Sequence, residues 1–298
     1  MKVMKFGGTS VGSAERIIHV AELIDIYTKH DCVVTVVSAM SGVTDQLIET
    51  FNCFKAGKTK SARELLYKLY RRHRDTMNEI VQDFSIYHSL EIALQNLFTH
   101  LSDFENFHVE GAYDYFVSFG ERFSSSLLTA AIQQRGLQAQ IVDSAEVIVT
   151  NGEFGNAQPL LSQTVRKAQM TLLPLCNEGI LPVVTGFYGA NENGSVAILG
   201  RGGSDYTATI LAYALSATEV ILWKEVDGVF TGDPLKDKTA RFLPELSYEE
   251  ALVLVQKGAK ILHREAMRPV QKTGIPIFVK NTFFPDRPGS KIWRGVEK

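Results

Sequence analysis

Six short runs of mostly β-branched residues, separated by amphipathic stretches, constrain this chain more than any other feature. They are VMKF (3–6), CVVTVVSA (32–39), ILPVVTG (180–186), SVAILG (195–200), EVILW (219–223) and IPIFV (275–279). Several are apolar at successive rather than alternate positions. Both of their faces must therefore be covered, as in parallel strands held between two layers of helix. The intervening stretches carry helical stripes: Ile17, Val20, Ala21 and Ile24 share one face, and Phe123, Leu127 and Ala130 another. Ser247 and Glu250 have the spacing of a capping box, which predicts a helix through EEALVLVQKGA. The alternation predicts an α/β fold, a three-layer α/β/α sandwich around a mainly parallel sheet. One region breaks it. From about 44 to 108 apolar residues recur only at helical spacing (Leu65, Leu69, Ile80 and Phe84, then Leu90, Leu94, Leu97 and Leu101), which predicts a helical insertion. Within it the run YRRHRD reads as a solvated helix face, with His73 structural.

Composition narrows the function classes. The 298 residues are 45% hydrophobic and 21% charged, with a net charge of −2, so there is no electrostatic case for nucleic acid or an anionic membrane. No apolar run is long enough to span a bilayer. Cys32, Cys53 and Cys176 are odd in number and lack metal-ligand spacing, which suggests reduced thiols in a cytoplasmic protein.

Two glycine clusters carry the chemical signal. KFGGTSVG opens the chain, with Lys5 before Gly7 and Gly8 and with Thr9 and Ser10 after them. Common phosphate loops place the lysine after the glycines, and the dinucleotide fingerprint is G-x-G-x-x-G, so neither applies. LGRGGSDYTAT spans 199–209: a strand runs into Gly200, and an apolar helix follows Ser204, which reads as its N-cap, with Asp205 suited to the first turn. Glycines around a helix N-terminus bare backbone N–H groups toward an anion. Between the clusters, VVSAMSGVTD ends an apolar strand in small hydroxyl residues, as ligand-binding edges of α/β sheets do.

KFGGTSV (5–11), VVSAMSG (36–42), SFGERFSS (118–125), LGRGGSDYTA (199–208) and KGAKILH (257–263) occur in the order found in aspartokinases, and the chain resembles that family over its whole length. The resemblance implies the amino-acid kinase fold, with a helical insertion after the second strand. It implies one kinase domain over 1–298: an aspartate-binding part of about 1–199 and an ATP-binding part of about 200–298. It gives Lys5 the phosphoryl group in flight, and Gly7 and Gly8, followed by Thr9 and Ser10, the nucleotide phosphates. Asp205 would orient Lys5 and help hold Mg2+ with the nucleotide. Arg201 would take a substrate carboxylate through its planar fork, beside Gly203 and Ser204. Ser38 and Thr44 would hydrogen-bond the substrate. Glu121 would meet its ammonium group, although Ser118 and Glu121 also have capping-box spacing.

LWKEVDGVFTGDPL matches the stretch that lines adenine and ribose, with Lys224, Glu225 and Phe230 as nucleotide contacts and Lys260 on the phosphate side. Many aspartokinases have Thr-Asp at Lys224-Glu225, Tyr at Phe230, Arg at Leu235 and Pro at Arg264, so nucleotide preference stays open. The implied activity is phosphorylation of the L-aspartate β-carboxylate by ATP with Mg2+, the first step toward lysine, threonine and methionine. The alternatives are a kinase for another acid and a catalytically weak nucleotide-binding or regulatory subunit. A homo-oligomer is open. After IPIFV and DRPG no strand-helix-strand pattern follows, so the expectation is that regulatory domains are absent and that lysine and threonine leave activity unchanged.

Overall fold

The computed structural model describes residues 1–232, 238–257 and 262–295. The chain opens with β1 (Lys2–Phe6), α1 (Ala14–Thr28) and β2 (Val33–Val37). The insertion follows as α2 (Val43–Lys55), α3 (Thr59–Ile80) and α4 (Phe84–Ser102), and then come α5 (Ala112–Val117) and α6 (Phe119–Gln134). The middle of the chain forms β3 (Ala139–Val142), α7 (Ser144–Val147), α8 (Leu161–Asn177), β4 (Leu181–Thr185), β5 (Tyr188–Ala190) and β6 (Val196–Ile198). The last third forms α9 (Gly203–Ala214), β7 (Glu219–Lys224), β8 (Val229–Phe230), β9 (Phe242–Leu243), β10 (Glu245–Ser247), α10 (Tyr248–Gln256), α11 (Arg264–Thr273), β11 (Ile277–Asn281) and β12 (Ser290–Trp293).

One sheet organises these elements, in the order β10-β12-β11-β7-β1-β2-β4-β3. From β11 to β3 every neighbouring pair is parallel, and β12 runs antiparallel to β11. Alternation along each strand divides the core between the two faces. Met4, Phe6, Val33, Val37, Ile221 and Trp223 pack against α1, α3 and α6. Val3, Val34, Val36, Val220 and Leu222 pack against α8, α9 and α11. The three-layer sandwich is therefore as expected. The run 195–200 forms a strand, but it pairs with β5 in a separate hairpin instead of joining the main sheet.

The insertion is helical, with two corrections. Phe84 lies outside its core, 83% exposed at the start of α4. The run YRRHRD is not a solvated face throughout: His73 is fully buried, its ring 4.7 Å from that of Phe123. Burial lowers its pKa to about 4, so it packs as a neutral ring. The capping box at Ser247 and Glu250 forms as predicted. Among the described residues no helix is long and apolar enough to cross a membrane.

Winding outward from β1, the chain builds β2, β4 and β3 on one side and β7 and β11 on the other. The reversal of direction falls between β1 and β7, and such a switch point opens a crevice at the C-terminal ends of the strands.

Candidate active site

That crevice is a cleft of about 340 Å³, at the small end of ligand pockets. Lys5, on the same face of β1 as Val3, points at α9. Its register partner on β7 is Leu222, so Lys224 lies on the same face one pleat further along. Asp205, in the first turn of α9, stands between the two lysines. Lys5 Nζ is 2.6 Å from Asp205 Oδ1, and Lys224 Nζ donates to Oδ2 at 2.9 Å. Burial pushes the Asp205 carboxyl up, but the Lys224 and Lys5 ammoniums outweigh it and hold the group well below the usual range. Burial, with Lys224 beside it, lowers Lys5 against the pull of Asp205. Two cations on one anion leave a net positive charge at the floor of the cleft, where an incoming anion is favoured.

Glu121 forms the opposite wall. The capping-box alternative for it fails on geometry. α5 runs into α6 through Ser118, whose backbone is helical (φ −62°, ψ −19°) and whose hydroxyl donates to the Tyr115 carbonyl. Glu121 is 3% exposed, and its Oε2 has no partner. Burial raises its pKa to about 8, against the lowering effect of the Ala39 and Glu121 N–H groups and the charges of Lys5 and Arg122. A buried carboxyl with a free oxygen in a ligand-sized cleft lacks a cationic partner.

The loops between these walls complete the lining. Gly8 must be glycine, because a Cβ there would lie 2.6 Å from the Ala39 carbonyl oxygen. Ser38 and Thr44 line the cleft from the end of β2 and the first turn of α2, and Gly203 and Ser204 line it from the start of α9. Ser204 is not the N-cap: that place falls to Gly202, at φ 74°, and Ser204 turns inward within the helix.

Other predicted residues stand outside the lining. Arg201 is exposed on the turn before α9. Gly7 donates its N–H to the Trp223 carbonyl at 3.4 Å. The buried hydroxyl of Ser10 is 2.7 Å from that of Thr282, which ties the first loop to the end of β11. Thr9 accepts Arg16 Nη1 on its carbonyl. Glu225 is exposed, and Phe230 is half-buried with its ring 5.5 Å from that of Phe242. Lys260 and Leu235 lie outside the described residues.

Two features of the site escaped the sequence reading. Phe187 lines the cleft with φ at 80°, a conformation that costs a non-glycine residue energy and clusters at functional sites. Its neighbours Gly186 and Gly189 were the available signal. The bridging position of Lys224 had none, since it depends on the register of β7 with β1.

The profile of the amino acid kinase family matches residues 1–281, and the chain belongs to that family. Within it, the similar proteins include aspartokinases. The chain is 39% identical to Aspartokinase 3, chloroplastic, of Arabidopsis thaliana, over 98% of this chain and 53% of the relative. It is 32% identical to Lysine-sensitive aspartokinase 3 of Escherichia coli, over 99% of this chain and 64% of the relative. It thus spans about a third to two-thirds of the length of the curated relatives it matches. Among solved structures, E. coli aspartokinase III in complex with aspartate and ADP superposes with a TM-score of 0.84 at 31% identity, over all of this chain and 65% of that one.

Proposed function

We propose that this chain transfers the γ-phosphoryl group of ATP to the β-carboxylate of L-aspartate, giving 4-phospho-L-aspartate and ADP. The observation that carries the reading is the pairing of opposite needs in one small cleft. The Lys5–Asp205–Lys224 bridge suits phosphoryl and carboxylate oxygens, and the unpartnered Glu121 suits an ammonium group. The E. coli relative solved with aspartate and ADP supports the same assignment.

In this reading Glu121 takes the α-ammonium, and the exposed guanidinium of Arg201 folds over a substrate carboxylate. Ser38, Thr44 and Ser204 hydrogen-bond the substrate. The β-carboxylate is already ionised near neutral pH, so it attacks in line without a general base. Its oxygen bonds to the γ-phosphorus as the bond to the bridging β–γ oxygen breaks, and ADP leaves. Lys5 offsets the charge on the phosphoryl group in flight, and Gly8 lets backbone close on it.

Magnesium fits as an ion carried in on the nucleotide. Asp205 is the carboxylate at hand, but both its oxygens face lysines. Among the described residues no group of three or more His, Cys, Asp or Glu is placed to hold an ion. Such an ion, when bound, neutralises charge on the phosphate oxygens. The part before about residue 200 would serve the acceptor and the part after it the nucleotide. The three unbridged cysteines support a reducing, cytoplasmic setting.

The test is ADP release with ATP and a panel of acids. Aspartate should turn over and N-acetylaspartate should not, because an acylated amine carries no charge for Glu121 to meet. Equal rates for the two would sink the assignment of Glu121, and no turnover with any acid would sink the kinase reading.

A further inference from the structure

A further cation bears on this cleft without lining it. Arg72 lies in the second half of α3, in the helical insertion, and is half-buried. Its Nη1 donates to the Ser41 carbonyl at 2.9 Å, and its Nη2 to the Gly12 carbonyl at 3.2 Å. These carbonyls belong to different loops. Gly12 closes the loop after β1 that begins at Gly7, and Ser41 sits in the loop between β2 and α2 that supplies Ser38. The loops already touch further in, where the Ser41 N–H donates to the Gly8 carbonyl at 3.1 Å. A guanidinium is a planar fork, and here its two arms take one carbonyl from each loop.

The neighbouring arginines mark Arg72 out. Arg71 lies 4.0 Å from Asp75 and Arg74 lies 3.8 Å from Glu91, both on exposed surface. Among the described residues Arg72 forms no ion pair, so both of its terminal nitrogens are spent on the loops. The platform beneath it is firm. The next residue, His73, is buried in the core with its ring tilted against that of Phe123, two positions along α6 from Glu121, and Gln46 of α2 donates to the Leu65 carbonyl. The insertion is thus packed against the helix that carries Glu121, and it reaches over with one side chain to the first loop.

We propose that Arg72 is a positioning residue for phosphoryl transfer: it clamps the loop after β1 to the loop after β2, and so sets the spacing between Lys5 and Gly8 on one side and the acceptor-binding hydroxyls on the other. The consequence for catalysis rests on the kinase reading above; the clamp itself does not. Transfer between two bound groups depends steeply on their separation, and a misplacement of about 1 Å costs up to roughly a hundredfold in rate.

The test uses Arg72→Ala and Arg72→Gln in the full chain, the second keeping part of the side-chain stem. Amide hydrogen exchange should rise together in peptides covering 7–12 and 38–44, by about tenfold or more in both variants, while the strands stay protected. In turnover with ATP and aspartate, kcat should fall about 10- to 100-fold. Millimolar guanidinium should restore part of it in Arg72→Ala, which a residue that only stabilises the fold would not permit. Arg72→Lys should not recover wild-type kcat, since one ammonium replaces a two-armed fork. Unchanged exchange in both loops overturns the clamp. Loosened loops with kcat within about twofold of wild type overturn the positioning role. A wild-type chain inert toward aspartate would count against the kinase reading, and the exchange result would still decide the clamp.

Discussion

The two halves of the cleft are built differently. The half around Lys5, Glu121 and Asp205 stands on rigid elements: Glu121 and Asp205 lie in first turns of buried helices, and Lys5 is a strand residue only 7% exposed. Among the described residues, those proposed to meet the nucleotide lie mostly on loop and edge. Glu225 is exposed, Phe230 belongs to a two-residue strand paired with β9, and Lys260 lies outside the described residues. Side chains locked by packing hold a geometry that loop side chains do not. If the proposed function holds, the difference teaches that recognition of the amino acid is prebuilt, with an unpaired carboxyl as its cost, whereas the described residues proposed to meet the nucleotide lie on exposed or edge segments.

The comparison can be broken most decisively at Lys5. Lys5→Met should lower kcat about a thousandfold, the order found when a preorganised charge contact is removed. The fold should survive, because Asp205 keeps Lys224 at 2.9 Å. Near-normal kcat would remove Lys5 from the chemistry. Next comes Glu121→Gln, which keeps the shape and removes the anion. The KM for aspartate should rise roughly a hundredfold while that for ATP hardly moves, since a charge-assisted contact is worth about 2–3 kcal/mol. The same variant should be more stable than wild type at pH 8. The Glu121 carboxyl titrates at about 8 when folded against 4.5 when free, so the folded protein holds a proton that the unfolded chain has lost between those values. Stability conferred by the protonated form therefore falls as pH rises through that window, and glutamine escapes the loss. Thermal melts of both proteins at pH 5 and pH 8 check this.

Lys224→Met sharpens the boundary between the halves. It spares the acceptor wall and removes one of the two cations on Asp205, so the KM for ATP should rise about tenfold with a smaller change for aspartate. Equal loss for both substrates would place Lys224 with the acceptor. The smallest effect belongs to Ser10→Ala, which removes the hydroxyl beside Thr282. It should cost about 1 kcal/mol of stability in denaturant unfolding and leave the KM for ATP unchanged. A large rise in that KM would return Ser10 to the phosphate site.

The fold was legible where burial is total. β1, β2, β4 and β7 are apolar on both faces and could be read directly. β3, with two exposed residues among its four, and β10 and β12 at the far edge leave no such pattern. β6 is as apolar as a sheet strand, and only the chain path sends it to a hairpin. The site shows the same division. Lys5 and Asp205 stand in glycine-marked turns that sequence can locate. Glu121 has a spacing shared by a helix cap and a ligand carboxylate, and only the helical backbone of Ser118 and the unpartnered Oε2 separate the two. The contacts of Lys224 and Arg72 arise from register and from helix packing across 19 and 60 positions of chain, so no local pattern announces them.

In the proposed function Glu121 waits, protonated and with Oε2 unpartnered, for an ammonium group. Calorimetric titration with aspartate at pH 7, in buffers of different ionisation enthalpy, tests this directly. With a carboxyl that titrates near 8, binding should release roughly nine-tenths of a proton per aspartate, and affinity should weaken about tenfold for each pH unit below 7. Glu121→Gln should release none. Aspartate that binds tightly with no proton release and no pH dependence would contradict the account.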